Sequence, residues 1–137
     1  MATDRDGSPG RVAVLLDANA LMAQVQFRID ILGELGNLIG ACVPCILSEV
    51  RDELRGLARS RGKEGSAARA ALVLAERCTL VESGLAGGTV DEKILCYAKT
   101  HGCMVVTSDR NLRSALLAQR STVISLSGRQ KLEIFRN

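Results

Sequence analysis

Two aspartates follow apolar runs that are typical of buried strands. Asp17 comes directly after Val12–Leu16, and Asp109 comes shortly after Cys103–Val106. A carboxylate at the C-terminal end of such a strand faces the ligand crevice of an open α/β sheet. Carboxylates gathered there repel one another unless a cation neutralises them, and their oxygens are the ligands that divalent metal ions prefer. The first hypothesis is therefore a metal site.

Two further carboxylates lie between those strands, on segments with helical periodicity. At about 100° per residue, Asp91 falls on the same stripe as Ile94, and it lies in the first helical turn, where the helix dipole favours an anion. Glu53 borders the apolar stripe of the preceding helix most closely, and Glu49 is the second candidate on that helix. The predicted catalytic residues and metal ligands are Asp17, Glu53, Asp91 and Asp109.

Two of these acids, Asp17 and Asp109, also have a plain structural explanation. Asp17 and Asp109 both precede helical segments, and Asp is favoured as a helix N-cap. Asn19 is placed to orient Asp17 or a metal-bound water, and Thr107 and Ser108 offer hydroxyls beside Asp109. The residues predicted to support the acids are Asn19, Thr107, Ser108 and Asn111.

Charge and composition narrow the choice of partners. The net charge is +3, which is too mild to predict nucleic-acid binding by itself. Aromatic residues make up 2% of the chain, which argues against a base-stacking module. Basic side chains do lie near the proposed acids, although a solvated, salt-bridged helix face explains them equally well. The predicted RNA-binding residues are Arg51, Arg55, Arg59, Arg110 and Arg113.

Alternating apolar runs and helical patterns predict an α/β domain with a parallel sheet covered by helices on both faces. The predicted strands are Val12–Leu16, Ala41–Val43, Thr79–Glu82, Cys103–Thr107 and Thr122–Leu126. The predicted helices are Ala18–Gln24, Ile29–Ile39, Ile46–Arg59, Ser66–Cys78, Thr89–His101 and Arg110–Ala118. Gly62 and Gly65 are expected to bracket a turn, and the segment from Gly128 is ambiguous.

The remaining expectations concern organisation and location. Residues 1–10 are expected to be a flexible tail before one domain at 11–137. No apolar run has the length of a transmembrane helix, and the first residues lack a signal-peptide core. Five cysteines in apolar runs favour reduced thiols and a cytoplasmic location. Cys42 and Cys45 form one CxxC pair, which supplies only two of the four ligands of a structural zinc.

The acidic segments together resemble those of the PIN-domain nucleases, from about Arg11 to Leu126. Asp17-Ala18-Asn19 is similar to the opening Asp-x-Asn of that family, and the chain from Pro44 to Glu53 resembles the segment carrying its glutamate. Asp91-Glu92 and Thr107-Ser108-Asp109 resemble its third and fourth acidic motifs. The sequence departs from the family at Asn111, where many relatives carry a further acid, and at Glu92, where many carry an aspartate.

This resemblance implies a fold and an activity. The fold would be a five-stranded parallel sheet ordered 3-2-1-4-5, with Asp17 and Asp109 facing each other at the switch between strands one and four. The activity would be that of an endoribonuclease dependent on Mg²⁺ or Mn²⁺, acting on RNA and leaving 5′-phosphate ends. The segment Gln26–Ile31 is closer to the ribosome-biogenesis branch and its archaeal relatives than to VapC toxins.

Three alternatives stay open at this level. The chain could be a non-catalytic RNA-binding or scaffold PIN domain, or a VapC-like toxin held by an antitoxin. In the ribosome-biogenesis reading, a ribosome-assembly partner is expected instead. A homodimer is expected through either Ile29–Ile39 or the alanine-rich segment Ala67–Ala75, which is equally well a core helix. No membrane partner is expected.

Overall fold

Six strands form one sheet in the part of the chain that the computed structural model describes, residues 11–127 and 131–137. They are β1 Val12–Leu16, β2 Cys42–Leu47, β3 Thr79–Val81, β4 Met104–Val106, β5 Val123–Ser127 and β6 Lys131–Phe135. Their order is β3-β2-β1-β4-β5-β6, and strands β1 to β5 run parallel to one another. The predicted order 3-2-1-4-5 is confirmed. The tail predicted for residues 1–10 lies outside the described residues.

The prediction of five strands is wrong by one, because β6 extends the sheet. β6 runs antiparallel to β5, pairing Val123 with Phe135 and Ser127 with Lys131. Leu132 is buried in β6 while Lys131 and Glu133 are exposed, which is the alternation of a strand with one face on the core. The ambiguous C-terminal segment therefore contains an edge strand in its described part.

Six helices connect these strands in the described residues. They are α1 Ala18–Gln26, α2 Ile31–Ile39, α3 Ser48–Leu57, α4 Gly62–Ala75, α5 Val90–His101 and α6 Arg110–Ala118. The turn predicted around Gly62 and Gly65 is wrong, since α4 begins at Gly62 and contains Gly65. A Cβ on Gly65 would lie 1.8 Å from the carbonyl oxygen of Ser60. Gly65 is therefore explained by a close backbone approach to Ser60 within a helix.

Strand β2 is longer than predicted and continues through Pro44. A proline lacks the N–H that a strand donates to its neighbour, which favours ending the strand at Val43. Pro44 is paired with Val14 of β1, but the pairing of β2 with β3 begins only at Cys45. Pro44 thus lies where β2 still has an open edge on its other side, and the proline is tolerated.

The core is aliphatic, as the scarcity of aromatic residues implies. Its largest fully buried side chains include Leu15, Leu21, Leu54 and Ile124. The alanine-rich stripe of α4 packs against α1 and α3, so it belongs to the core. In the described residues, no helix is long and apolar enough to cross a membrane.

Candidate active site

The pairing of β1 with β4 brings two polar residues side by side at the switch point of the sheet. Leu16 is paired with Val106, so the next residue of each strand, Asp17 and Thr107, emerges at the same edge. The backbone N–H of Asp17 donates to the Val106 carbonyl at 3.2 Å, and that of Thr107 donates to the Ile124 carbonyl at 3.0 Å. These bonds extend the sheet by one residue and fix where both side chains begin.

Asp17 is buried, with 5% of its surface exposed, and both of its oxygens accept hydrogen bonds. The backbone N–H of Ala20 donates to Oδ1 at 2.7 Å. The Thr107 hydroxyl, which is fully buried, donates to Oδ2. Asp17 is therefore the N-cap of α1, as its plain structural explanation required, and it also faces the crevice. The two roles use the same carboxylate.

The environment of Asp17 disfavours its negative charge. Burial is the main cause that raises the pKa of this carboxyl from 3.8 to about 7; the hydrogen bonds from Thr107 and Ala20 oppose the rise, and the nearby charges of Asp91 and Asp109 add to it. A carboxylate in such a place is stabilised by a neighbouring cation, which would restore its ordinary acidity. The raised pKa of Asp17 therefore marks a place where a cation would be favoured.

Asp109 is held by the start of α6. Its Oδ1 accepts from the backbone N–H groups of Asn111 at 2.8 Å and Leu112 at 3.1 Å, so capping engages this one oxygen of the carboxylate. Its own backbone N–H donates to the Thr107 hydroxyl oxygen at 3.1 Å. Thr107 therefore joins the two strand-end aspartates, since it accepts from the backbone of one and donates to the side chain of the other.

The four predicted acids line one cavity of about 220 Å³ at this edge of the sheet. Glu53 reaches it from α3 and Asp91 from the first turn of α5, while Leu57 and Ile94 form part of its apolar wall. The pKa of Glu53 is raised by partial burial and by the charge of Asp91. The pKa of Asp91 is raised by partial burial and by the charge of Asp109. The charges of Asp91 and Asp109 thus oppose the ionisation of their neighbours in the cavity.

The chemistry of these donors suits a hard cation, but their placement is not that of a closed metal cage. All four acids supply carboxylate oxygens, the ligands that Mg²⁺ and Mn²⁺ prefer. Among the described residues, no three acidic, histidine or cysteine side chains already stand in a metal-holding arrangement. The shared cavity still fits such an ion, because Mg²⁺ usually retains several bound waters and is held by one or two carboxylates rather than by a closed cage.

The helical stripe of α5 is confirmed, although Asp91 is more exposed than its place on the stripe predicts. Ile94 and Ala98 are buried, but Asp91 lies where the stripe reaches the cavity mouth and remains largely exposed. At this end of the helix the Glu92 backbone N–H donates to the Thr89 hydroxyl at 3.1 Å. Thr89 thus caps α5 and leaves the Asp91 side chain to the cavity.

The predicted supporting residues divide into two groups. Asn19 lines the acidic cavity, and Thr107 makes the contacts described above. Ser108 and Asn111 are exposed and are not among the residues lining the cavity. Asn111 contributes to the site through its backbone N–H, which donates to the Asp109 carboxylate.

Glu49 is engaged in a separate network on α3. Its carboxylate lies 3.5 Å from the Lys93 ammonium and accepts from the hydroxyls of Ser48 and Ser83. These hydrogen bonds and the Lys93 charge lower the pKa of Glu49 and outweigh the effect of its partial burial. Glu49 therefore joins α3 to α5 and to the loop after β3, and of the two α3 candidates only Glu53 lines the cavity.

The predicted RNA-binding arginines do not form one surface beside Glu53. Arg51 and Arg55 line a different cavity, on the other side of α3. The Arg113 guanidinium lies 4.7 Å from the centre of the Phe135 ring, so it stacks against β6. Arg59 and Arg110 are exposed.

The CxxC pair lies within strand β2. Cys42 is half-buried and Cys45 is buried, and neither forms a disulfide. Residues three apart in a strand point to opposite faces of the sheet, so these two sulfurs do not converge on one ion.

The fold and site define an α/β domain with an acidic crevice at the switch point of its sheet. Residues 14–131 match the family model described as "PIN like domain". The chain belongs to this family, which confirms the resemblance seen in its acidic motifs.

Relatives with known names agree with this assignment. The chain is 33% identical to Ribonuclease VapC9 of Archaeoglobus fulgidus over 114 residues, which cover 82% of each protein. Its structure is similar to that of the PIN domain endonuclease Utp24, with a TM-score of 0.75 and 26% identity, covering 91% of this chain and 92% of the other. It also shares its fold with a chain of the VapBC2 complex of Rickettsia felis, solved with promoter DNA, with a TM-score of 0.57, 18% identity and coverage of 76% and 93%.

Proposed function

We propose that this protein is a metal-dependent endoribonuclease that hydrolyses RNA phosphodiester bonds with Mg²⁺ or Mn²⁺. The observation that carries the proposal is the gathering of Asp17, Glu53, Asp91 and Asp109 around one cavity. Four carboxylates from two strand ends and two helices have no role in the core, and their mutual repulsion costs stability. The similarity to Ribonuclease VapC9 and to the endonuclease Utp24 supports the same activity.

The protein's own groups would hold and orient the reacting parts. Asp17 is fixed by Ala20 and Thr107, and Asp109 is fixed by the first turn of α6, so both carboxylates are positioned before a ligand arrives. Asn19 lines the same cavity and offers an amide to a water or a phosphate oxygen. When bound, the metal would supply an activated water and would neutralise the charge that grows on the phosphate.

The test is cleavage of a labelled single-stranded RNA with Mn²⁺ or Mg²⁺. Asp17→Asn and Asp91→Asn should each lower the rate by about 100-fold or more, since a catalytic metal contributes several kcal/mol to the transition state. Asp52→Asn is the matched control, because Asp52 is exposed on the same helix as Glu53 and is not among the residues lining the cavity. The cleaved ends should carry 5′-phosphates. Activity that survives both substitutions would overturn the proposal.

A non-catalytic RNA-binding domain is the second candidate, because no metal-holding arrangement is preformed among the described side chains. Titration calorimetry separates the two functions. Binding of Mn²⁺ that disappears in Asp17→Asn supports the enzyme. Retained RNA binding without any Mn²⁺ or Mg²⁺ binding supports the scaffold.

The biological role follows from a further experiment on the same enzyme. The resemblance of Gln26–Ile31 to the ribosome-biogenesis branch favours RNA processing with a ribosome-assembly partner, and the similarity to Ribonuclease VapC9 favours a VapC-like toxin held by an antitoxin. Induced expression of the wild-type chain and of Asp17→Asn distinguishes these roles. Growth arrest by the wild type alone, relieved by a neighbouring gene, identifies a toxin, whereas unimpaired growth favours RNA processing.

A further inference from the structure

The cavity that contains Arg51 and Arg55 has no part in the proposed chemistry. It measures about 420 Å³ and lies between the C-terminal part of α4, helix α3 and strand β3. Its apolar wall includes Leu72 of α4 and Leu80 of β3. It therefore combines two guanidinium groups with aliphatic walls.

Arg51 lacks the partner that its burial requires. Its Nε is shut off from solvent and has no hydrogen-bond partner among the described residues. A buried donor left without an acceptor is costly, and more so when it carries charge. The neighbouring Arg55 lies 3.8 Å from Asp52, but both side chains are mostly exposed, so this ion pair is weak. The cavity therefore offers two cations to an incoming anion.

The position of these arginines separates the cavity from the acidic crevice. At about 100° per residue, Arg51 and Arg55 lie on one side of the buried stripe of α3, and Glu53 and Leu57 lie on the other. The lining of the two cavities agrees, since Glu53 and Leu57 face the acidic crevice only. A ligand can therefore occupy the arginine cavity while RNA is bound at the carboxylates.

The lining of the cavity favours an acidic side chain over an RNA phosphate. In the part of the chain described, it includes no hydroxyl, amide or aromatic side chain that could bind a sugar or a base. It includes one carboxylate, Glu76, which repels a polyanion more strongly than a lone acidic side chain between apolar neighbours. The aliphatic walls match such neighbours, because Leu80 exposes 42% of its surface there.

Strand β3 adds a backbone edge beside the same cavity. Thr79–Val81 pairs with β2, and no other described strand covers its outer edge. Unpaired N–H and C=O groups at such an edge accept an extended peptide, with alternate side chains entering adjacent pockets. Leu80 belongs both to this strand and to the wall of the cavity.

We propose that the cavity between α3, α4 and β3 docks an extended peptide segment of a protein partner, with an acidic side chain bound by Arg51 and Arg55 and aliphatic side chains two residues away, on the same face of the peptide, packed on Leu72 and Leu80. The partner is thus defined by a segment in which aliphatic residues stand two positions before and after an acidic one. Held on the far side of α3 from the carboxylates, it can bring the enzyme to its RNA without blocking the reaction.

The experiment uses ¹⁵N-labelled protein, without metal, and a capped synthetic peptide in which leucines stand two residues before and after a glutamate and serines fill the positions between. Titration of the peptide to about 5 mM detects binding as weak as a Kd in the millimolar range. The Nε–H signal of Arg51 and the amide of Leu80 should shift. A peptide with glutamine in place of glutamate should bind about tenfold more weakly, since each charge-assisted hydrogen bond contributes on that order.

Variants locate the binding. Arg55→Gln should weaken the glutamate peptide about tenfold, as should Arg51→Gln if its circular dichroism matches the wild type. Arg55 is exposed, so the Arg55→Gln protein is expected to fold, and its measurement remains decisive even if Arg51→Gln unfolds. Arg59→Gln is the matched control, because Arg59 is exposed beyond α3 and is not among the residues lining the cavity; it should change Kd less than about twofold.

Three outcomes would overturn the inference: no shift at the highest peptide concentration, equal binding of the glutamine peptide, or an equal loss in Arg59→Gln. A fourth is a single-stranded RNA that shifts the Arg51 signal at lower concentration than the peptide does, which would assign the cavity to RNA phosphates. Because the titration contains no metal and measures no cleavage, its failure and that of the proposed nuclease function are distinguishable.

Discussion

Replacing Asp17 with asparagine should stabilise the metal-free protein while it abolishes cleavage. The reason is the raised pKa of Asp17, about 7 in the folded chain against 3.8 for an ordinary aspartate. Below the lower of these values the carboxyl is protonated in both states and does not affect stability. Between the two values the unfolded chain releases its proton while the folded chain keeps it, so stability falls as pH rises. Above the folded pKa the loss is complete.

The size of the effect follows from those two values. A difference of about three between them corresponds to about 4 kcal/mol, at 1.36 kcal/mol for each pKa unit. Asparagine keeps an oxygen for the Ala20 N–H but presents an N–H₂ group to Thr107, whose hydroxyl proton then loses its acceptor. That exchange costs about 1–2 kcal/mol. The net gain for Asp17→Asn is therefore about 2–3 kcal/mol at a pH well above the folded pKa.

Urea unfolding in the presence of a chelator measures this difference. The gain of Asp17→Asn over the wild type should be full at about pH 8 and should be lost at about pH 3, below the ordinary value of 3.8, where the wild-type carboxyl is mostly protonated in both states. Asp52→Asn, at an exposed position, should differ from the wild type by less than about 0.5 kcal/mol at either pH. A saturating concentration of Mn²⁺ should remove the advantage, because the ion stabilises only the protein that binds it.

Two results would refute this reasoning. One is an Asp17→Asn variant that is less stable than the wild type at the higher pH without metal. The other is a stability difference that does not change with pH. Either would mean that the carboxylate of Asp17 has a neutralising partner in the metal-free protein.

Three further predictions concern the same structure. Thr107→Val, which keeps the shape and removes the hydroxyl, should weaken Mn²⁺ binding about tenfold in calorimetry, because Asp17 loses a donor that favours its charged form; unchanged affinity would contradict the contact. Wild-type affinity for Mn²⁺ should fall about tenfold for each pH unit below the folded pKa of Asp17, since the ion must displace one proton; a flat profile would contradict the raised pKa. Gly65→Ala should lower the free energy of unfolding by about 1–3 kcal/mol, because its Cβ meets the Ser60 carbonyl, whereas Gly36→Ala, with open space at its Cβ, should gain about 0.5–1 kcal/mol in the same urea assay.

The sequence could predict which acids would lie near one another because strand order and helical periodicity fix the direction of a side chain before tertiary contacts are known. A buried parallel strand has a polar residue at its C-terminal end, and the order of strands places β1 beside β4, so Asp17 and Asp109 had to approach each other. The helical count separated Glu53 from its neighbours for a similar reason. Position on a helix fixes direction, and Glu53 lines the crevice while Asp52 does not.

The same reasoning failed where tertiary contacts decide. Gly65 reads as a turn residue, and only its contact with Ser60 shows that a helix needs it. The arginines of α3 look like one basic strip beside Glu53, because proximity in sequence hides that Arg51 and Arg55 point away from it. The segment from Gly128 stayed ambiguous in the sequence, because the five residues Lys131–Phe135, without a neighbouring element, gave no evidence of where a strand would pair.

The hydrogen bonds of Thr107 explain how the site keeps Asp17 ready for a cation. The Thr107 oxygen already accepts the backbone N–H of Asp109, so its own proton is directed at Asp17. A hydroxyl that donates in this way favours the charged carboxylate, against the burial that disfavours it. Burial outweighs this hydrogen bond and leaves the pKa of Asp17 at about 7, so near neutral pH a cation that enters the crevice would decide the charge of this carboxyl. A threonine at the end of β4 can therefore be as important for metal affinity as the ligands themselves, although it need not touch the ion.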